Sequence, residues 1–258
     1  MKKMVTAKVV SQTELAPGIY DMRLESELSA QARPGQFIGV YTKDASRLLP
    51  RPISICETDG EKVLRIVYRV NGGGTEEFSG YKEGTEVRIL GVLGNGYDME
   101  KLAGKKTALF GGGIGIPPML ELAKKLSASG SDVSIFLGYR DSNLFLKEDF
   151  DKYGKVYIAT EDGSVGTKGN VLNALAESKE TPDVLLACGP MPMLSAIKKE
   201  AAGRNIPAYI SLEERMACGV GACLGCVCRT THKDNHSKVN NARVCTEGPV
   251  FNAEDVEI

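Results

Sequence analysis

Five of the seven cysteines in this 258-residue chain crowd into one C-terminal stretch, and this cluster limits what the chain can be more than any other feature. Cys218, Cys223 and Cys226 are spaced C-x4-C-x2-C, Cys228 follows closely, and Cys245 lies further on. A secreted disulfide framework more typically spreads an even number of cysteines through the sequence. The odd and clustered set therefore indicates a metal centre in a reducing compartment.

The C-x4-C-x2-C spacing is the one with which plant-type ferredoxins hold a [2Fe–2S] cluster. Such a cluster takes four thiolates, so the spacing leaves Cys228 over and makes Cys245 the natural fourth ligand. Three glycines interleaved with the thiols allow backbone N–H groups to come close to sulfur. The predicted metal ligands are Cys218, Cys223, Cys226 and Cys245.

Zinc is the main alternative for this stretch. Cys223-x2-Cys226 and His232-x3-His236 both have ligand-like spacing. Only five residues separate Cys226 from His232, against about 12–15 between the two pairs of a zinc finger. The spacing thus favours the iron–sulfur cluster, with both histidines in a solvated polar loop.

Composition restricts the class of protein further. The chain is 42% hydrophobic and 25% charged, with a formal net charge of −1, which is ordinary for a globular protein and gives no attraction to nucleic acid or membranes. No apolar run reaches the roughly 20 residues of a membrane span, and no signal-peptide pattern follows Met1. We predict a cytoplasmic protein of one large domain or two to three small ones.

Residues 1–102 have the pattern of short strands. Six segments are rich in β-branched residues, and turns containing Gly, Pro and Asn-Gly separate them. In residues 62–70 apolar and polar side chains alternate, as on a strand with one buried face. Turns at this density favour a small antiparallel β-barrel. The predicted strands are 6–13, 19–26, 36–42, 52–58, 62–70 and 86–90.

Residues 103–210 change to strands that alternate with helices. Helical patterns run from Pro117-Pro118 to about residue 129, over 170–177 and over 191–202, and proline suits a first helical turn. This alternation predicts a doubly wound parallel sheet. The predicted fold is therefore an antiparallel β-barrel, an α/β domain and a small cluster domain at 211–258. The predicted strands of the α/β domain are 106–110, 132–139, 155–160, 183–188 and 208–212.

Gly111-Gly-Gly-Ile-Gly115 lies between the first of these strands and its helix, where a dinucleotide-binding turn belongs. Glycines there let backbone N–H groups approach a pyrophosphate at the helix N-terminus. The motif departs from G-x-G-x-x-G, so a tight turn without a ligand is the alternative. Cys188-Gly-Pro190 ends a later buried strand at the same sheet edge. The alternative interpretation of this segment is that Cys188 is a small buried hydrophobic residue and contacts no cofactor.

Two stretches of the barrel are candidates for binding a flavin nucleotide. Arg51-Pro-Ile-Ser54 offers a cation for a diphosphate and a hydroxyl for a ring edge, although an edge strand that begins with proline would look the same. Tyr68-Arg69-Val70 and the glycine-rich 71–75 offer a second cation and a turn. That turn either wraps phosphates or is a hairpin loop.

Barrel, dinucleotide-binding sheet and cysteine segment, in this order, resemble the ferredoxin reductase superfamily and, within it, the family of electron-transfer subunits of type B dihydroorotate dehydrogenases. The resemblance covers nearly the whole chain, including residues 162–169, 211–218 and 244–251. It departs at Ile53, where many superfamily members place a tyrosine, and in the insertion 232–241. It implies FAD contacts at Arg51, Pro52, Ile53, Ser54, Tyr68, Arg69, Val70, Gly74 and Thr75. It implies NAD contacts at Gly111, Gly112, Gly113, Gly115, Cys188, Gly189 and Pro190.

The same resemblance implies an electron-transfer function with no catalytic residue of its own. FAD would convert the two-electron hydride of NAD into single electrons for the cluster. The implied partner is an FMN-containing catalytic subunit that oxidises dihydroorotate to orotate in pyrimidine biosynthesis, with two copies of each subunit in a heterotetramer.

Two alternative functions stay open at this point. The chain could be the flavin/iron–sulfur subunit of a ferredoxin–NAD(P) or sulfide-type oxidoreductase, or a zinc-binding interaction module. The nucleotide is open as well, because Tyr139-Arg140 after the second strand would suit the 2′-phosphate of NADP, although a surface arginine is the plainer interpretation.

Overall fold

A computed structural model of the chain describes residues 2–234 and 238–258. Its first part is the predicted antiparallel barrel, closed by six strands in the order β1-β2-β5-β4-β3-β6. Apolar side chains fill the barrel, with Met22, Leu24, Ile38 and Ile66 fully buried. The strands are Lys3–Ala16 (β1), Ile19–Glu25 (β2), Phe37–Val40 (β3), Arg51–Thr58 (β4), Val63–Arg69 (β5) and Glu86–Leu93 (β6).

A short helix, Gly73–Ser79 (α1), follows β5 where the sequence allowed a hairpin loop. The hairpin alternative is therefore wrong. The run of glycines gave no helical signal because glycine is a poor helix former. Thr75 stabilises the turn that leads into the helix, since its Oγ1 accepts a hydrogen bond from Asn71 N at 2.7 Å and donates one to Gly72 O at 3.1 Å.

The predicted α/β domain is present as a seven-stranded sheet in the order β10-β9-β8-β7-β11-β12-β15. All neighbouring strands pair in parallel except β12 and β15, which are antiparallel. Two short elements had no clear sequence signal, namely the helix Lys147–Phe150 (α4) and the strand Thr167–Lys168 (β10). The other strands are Lys106–Gly112 (β7), Asp132–Tyr139 (β8), Lys155–Thr160 (β9), Val184–Cys188 (β11), Ala208–Ser211 (β12) and Val250–Asn252 (β15).

The predicted helices of this domain are confirmed. Pro118 is the first residue of Pro118–Ala128 (α3), and Asn170 caps Val171–Ser178 (α5) by accepting from Leu172 N at 2.9 Å. In α3 the apolar side chains of Met119, Leu122, Ala123 and Leu126 are fully buried. Met191–Arg204 (α6) corresponds to the predicted helix 191–202, whereas the short helix Met99–Leu102 (α2), just before this domain, was not predicted.

The cysteine segment forms a small lobe that is tied to both larger parts. It contains a two-stranded sheet of Val227–Arg229 (β13) and Asn241–Arg243 (β14). Its last strand, β15, completes the edge of the large sheet, so residues of the predicted cluster domain also belong to the α/β sheet. Among the described residues, none of the helices combines the length and the apolarity that crossing a membrane requires.

Candidate cofactor sites

The four predicted cluster ligands come together in one lobe. The Cys218 thiol interacts with that of Cys223 as a first pair and the Cys245 thiol with that of Cys226 as a second, and Cys218 also acts on Cys245. Cys226 and Cys245 are buried, whereas Cys223 is exposed. The first pair therefore lies on the outer side of the lobe and the second pair on its inner side.

Backbone N–H groups point at the outer pair. Val220 N donates to Cys218 Sγ and Gly225 N donates to Cys223 Sγ, both at 3.4 Å. Gly219 and Gly221 have φ values of +66° and +85°, a left-handed conformation that glycine adopts without strain. The interleaved glycines thus let the chain turn tightly enough to present its N–H groups to sulfur.

The ionisation of these thiols follows from their surroundings. Burial alone would raise the pKa of Cys218, but the N–H groups of Val220 and Cys223, the Cys223 thiol and the N–H group of Ala222 together lower it to about 6. Burial and then the adjacent Cys226 thiol raise the pKa of Cys245 to about 11. Two thiolates side by side in a buried position need a compensating cation, which a bound metal supplies.

Pairs of thiols fit a binuclear cluster better than a single ion. A structural zinc site has four ligands around one ion, whereas a [2Fe–2S] cluster takes two protein ligands on each of two irons. In residues 2–234 and 238–258, no three His, Cys, Asp or Glu side chains converge on one metal-ion position. His232 is exposed and lies 3.9 Å from Asp255, and His236 lies outside the described residues. The donor set therefore fits the cluster.

Cys228 is separate from the four. It lies in β13 opposite Ala242, and its side chain packs partly buried against the apolar core. Burial raises the pKa of this thiol, which favours the neutral form. That Cys228 is not a ligand stays a prediction.

The predicted diphosphate-binding residues of the barrel meet at the start of α1. The Arg51 side chain lies so close to Gly74 that a Cβ there would come 2.0 Å from Nε, and its guanidinium donates to Leu49 O. Arg47, which sequence reasoning missed, lies against the neighbouring Gly73 and donates to Gly73 O at 2.8 Å. Two guanidinium groups over a glycine turn are a suitable site for a diphosphate.

The other predicted flavin contacts differ in how far their side chains are exposed. Ser54 is partly exposed on β4, opposite Phe37 of β3. Arg69 is exposed at the end of β5. The Tyr68 side chain is buried in the barrel, where its hydroxyl donates to Gln12 Oε1 at 2.8 Å. Tyr68 can therefore contact a ligand through its backbone only.

The glycine turn after β7 is packed against the end of β11. A Cβ on Gly115 would come 2.4 Å from Cys188 O, and one on Gly112 would come 2.6 Å from the sulfur of Met193. Met193 was not among the predicted site residues. Burial raises the pKa of the Cys188 thiol to about 12. The structure thus brings Gly111–Gly115 and Cys188–Pro190 together at the carboxyl edge of the sheet.

The three predicted sites adjoin one another. An Arg69 guanidinium nitrogen is 3.7 Å from the position that a Cβ on Gly113 would take. The end of β5, which carries predicted flavin contacts, therefore lies close to the glycine turn after β7. On the other side, a Cβ on Gly219 of the cluster loop would lie 3.1 Å from Leu93. Leu93 pairs with Phe37, and Phe37 pairs with Ser54. The barrel therefore adjoins both the cluster loop and the nucleotide turn.

Comparison with known proteins identifies the family. The model of the iron–sulfur cluster binding domain of dihydroorotate dehydrogenase B matches residues 213–257. The electron transfer subunit of dihydroorotate dehydrogenase B (NAD(+)) from Listeria monocytogenes is 43% identical over 254 residues, which cover 97% of this chain and 98% of the relative. The chain belongs to this family of electron transfer subunits. The member from Enterococcus faecalis is also 43% identical, over 99% of this chain and 98% of its own.

Solved structures of reductases share the fold of this chain. An NADH-dependent reduced ferredoxin–NADP oxidoreductase superposes with a TM-score of 0.87 at 27% identity, over 97% of this chain and 89% of its own. A cytochrome P450 reductase from Amycolatopsis superposes with a TM-score of 0.68 at 21% identity, over 80% and 67% of the two chains. The first match covers more of this chain than the second, 97% against 80%.

Proposed function

We propose that the chain carries electrons between NAD and a partner subunit that oxidises dihydroorotate, through FAD in the barrel and a [2Fe–2S] cluster in the C-terminal lobe. The observation that supports this most is the position of the barrel, which touches the cluster loop at Leu93 and the nucleotide turn through Arg69. When bound, FAD exchanges a hydride with NAD and single electrons with the cluster.

The chain's own residues bind and position these groups. Arg51, beside Gly74, holds the FAD diphosphate with Arg47 next to it, and Ser54 contacts the ring. The turn at Gly111–Gly115 and the Cys188–Pro190 segment hold the dinucleotide. Cys218, Cys223, Cys226 and Cys245 would hold the irons of the cluster.

The relatives' name, electron transfer subunit, implies a catalytic partner subunit, and we propose that this partner contains FMN. We propose a heterotetramer of two copies of each subunit, and pyrimidine biosynthesis as its role. All seven cysteines are free thiols in the structure, which suits the reducing cytoplasm where we place the protein. NAD, rather than NADP, is the proposed nucleotide, since the relatives are named for NAD(+).

A second candidate function has one observation in its favour. The structural match to a reduced ferredoxin–NADP oxidoreductase covers almost the whole chain, so a flavin/iron–sulfur subunit of that type would have the same fold. The identity of 27% with that protein is well below the 43% with the dihydroorotate dehydrogenase subunits, and we therefore prefer the first assignment.

Purification of the native complex separates the two assignments. The protein should co-purify with an FMN-binding subunit, and the complex should reduce NAD+ when dihydroorotate is added. Association with a large glutamate-synthase-like flavoprotein, without dihydroorotate oxidation, would instead favour the second candidate. A colourless protein that contains zinc and no iron would contradict both.

A further inference from the structure

A buried charged network joins the barrel to the nucleotide-binding domain. Arg65 of β5 has a side chain that is only 8% exposed, and its Nη2 lies 2.8 Å from Asp21 Oδ2. Its Nε donates to both carboxylate oxygens of Asp21, at 3.1 and 3.0 Å. The other end of the guanidinium, Nη1, is 3.3 Å from Glu57 and 2.9 Å from Asp149. Asp149 belongs to α4, so this arginine links the two domains directly.

A second set of contacts lies beside the first, between α3 and the end of β4. Lys124 Nζ is 3.1 Å from Glu57 Oε1 and donates to Thr58 O at 2.9 Å. Glu121 Oε2 accepts from Thr58 N at 3.1 Å, and the Glu121 side chain is 1% exposed. Glu57 thus receives one cation from the barrel and one from the nucleotide-binding domain.

The two elements that meet here each lead to a cofactor site. β4 begins with the flavin motif at Arg51 and ends at Thr58. α3 begins at Pro118, directly after the glycine turn, and carries Glu121 and Lys124 on its barrel side. Fixing the end of β4 on α3 therefore fixes the flavin motif relative to the nucleotide turn.

Apolar packing alone would hold β4 in a less defined orientation relative to α3. Ile19, Cys56 and Val67 of the barrel pack into the same apolar core as α3, and such contacts are not directional. A guanidinium that binds carboxylates through a planar fork imposes an orientation as well as an attraction. Burying the charges costs desolvation free energy, and a fixed orientation is one property that such networks can provide.

We propose that Arg65, Glu57, Lys124 and Asp149 are positioning residues, which hold the nucleotide-binding domain on the barrel in the orientation that hydride transfer requires. This inference rests on the proposed exchange of a hydride between NADH and FAD. Hydride transfer is sensitive to such a device because a displacement of about 1 Å between reacting groups can cost on the order of 100-fold in rate. None of the four residues needs to touch either cofactor.

The test uses the full chain, purified with its FAD and cluster, and the double variant Lys124→Met/Asp149→Asn. Both substitutions remove links to the nucleotide-binding domain and leave the Arg65–Asp21 pair within the barrel. Anaerobic rapid mixing with NADH should show FAD reduction slowed by about 10- to 100-fold. NAD+ affinity and FAD content should be unchanged, and the long-wavelength absorbance of the NADH–FAD complex should be weaker.

The matched control is Asp151→Asn, the same change two residues further along. Asp151 pairs with Lys147 at 2.7 Å, within its own segment and away from the barrel, so this variant should behave as the unsubstituted protein. Arg65→Lys, which keeps the charge and loses the fork, should slow FAD reduction in the same direction. Hydrogen exchange in α3 and α4 should become faster in the double variant and stay unchanged in Asp151→Asn.

Two results would overturn the inference in different ways. If the double variant loses thermal stability while its bound FAD is reduced at the normal rate, the network is merely structural and the proposed function stands. If NADH fails to reduce the FAD of the unsubstituted protein, the proposed function itself is wrong and the inference falls with it.

Discussion

At the scale of single residues, the cysteines differ in surroundings and therefore in role. Cys218 and Cys223 face outward with N–H groups directed at their sulfurs, and Cys226 and Cys245 lie inside the lobe. The C-x4-C-x2-C spacing alone predicts Cys218, Cys223 and Cys226 as ligands. Cys245 is predicted as well because the cluster needs a fourth thiolate. The pairing of the four is visible only in the structure, because it depends on how residues 226 and 245 meet.

Replacing Cys245 should remove the cluster. Cys245→Ser leaves the cluster one thiolate ligand short, so iron content and the visible absorbance of the cluster should be lost. Cys228→Ser is the matched control, since Cys228 lies in β13 outside the set of four, and this variant should keep both signals. Loss of iron in Cys228→Ser, with retention in Cys245→Ser, would reassign the fourth ligand.

Arg51 should lose its position when Gly74 gains a side chain. In Gly74→Ala the new Cβ would come 2.0 Å from Arg51 Nε, so the guanidinium must move away from the proposed diphosphate. We expect a lower ratio of FAD to protein after purification and a weaker FAD affinity by fluorescence titration. Gly80→Ala, at the other end of α1, meets only Glu77 O at 3.5 Å and should bind FAD normally. Equal FAD binding by both variants would contradict the assignment.

At the scale of elements, the sequence was informative wherever an element carries its own pattern. The barrel strands, α3, α5 and α6 follow from alternation, helical periodicity and proline or asparagine at the helix start. α1 was missed because its first residues are glycines, and β15 because three residues show no period. These short elements form through tertiary contacts, such as the pairing of Phe251 with Ile210, which local patterns do not encode.

The close approach of the glycine turn to β11 should not tolerate a side chain. In Gly115→Ala the Cβ would come 2.4 Å from the backbone oxygen of Cys188, and we expect a loss of about 1–3 kcal/mol in the free energy of unfolding together with weaker NAD+ binding. Gly203→Ala in α6 meets nothing within 4 Å and should gain up to about 1 kcal/mol. Denaturant unfolding and NAD+ titration measure both effects. A neutral Gly115→Ala would contradict the tight packing.

At the scale of the whole molecule, function depends on contacts between segments that are distant in sequence. The order of barrel, sheet and cysteine segment predicted which cofactors the chain binds. It could not predict that Gly219 packs near Leu93, that Arg69 reaches Gly113, or that Arg65 binds Asp149. A single sequence does not indicate that the two residues of such a pair are in contact, because each of them looks ordinary within its own segment. The proposed path between cofactors is therefore a property of the folded molecule.

Anaerobic reduction of the purified full chain by NADH tests the central claim most directly. Flavin absorbance and the electron paramagnetic resonance signal of the reduced cluster would be followed in the same sample. We predict that NADH bleaches the flavin and that the cluster signal then appears, because the two groups occupy adjoining parts of one chain. A flavin that NADH reduces while the cluster stays oxidised, although dithionite reduces it, would contradict electron transfer through this subunit.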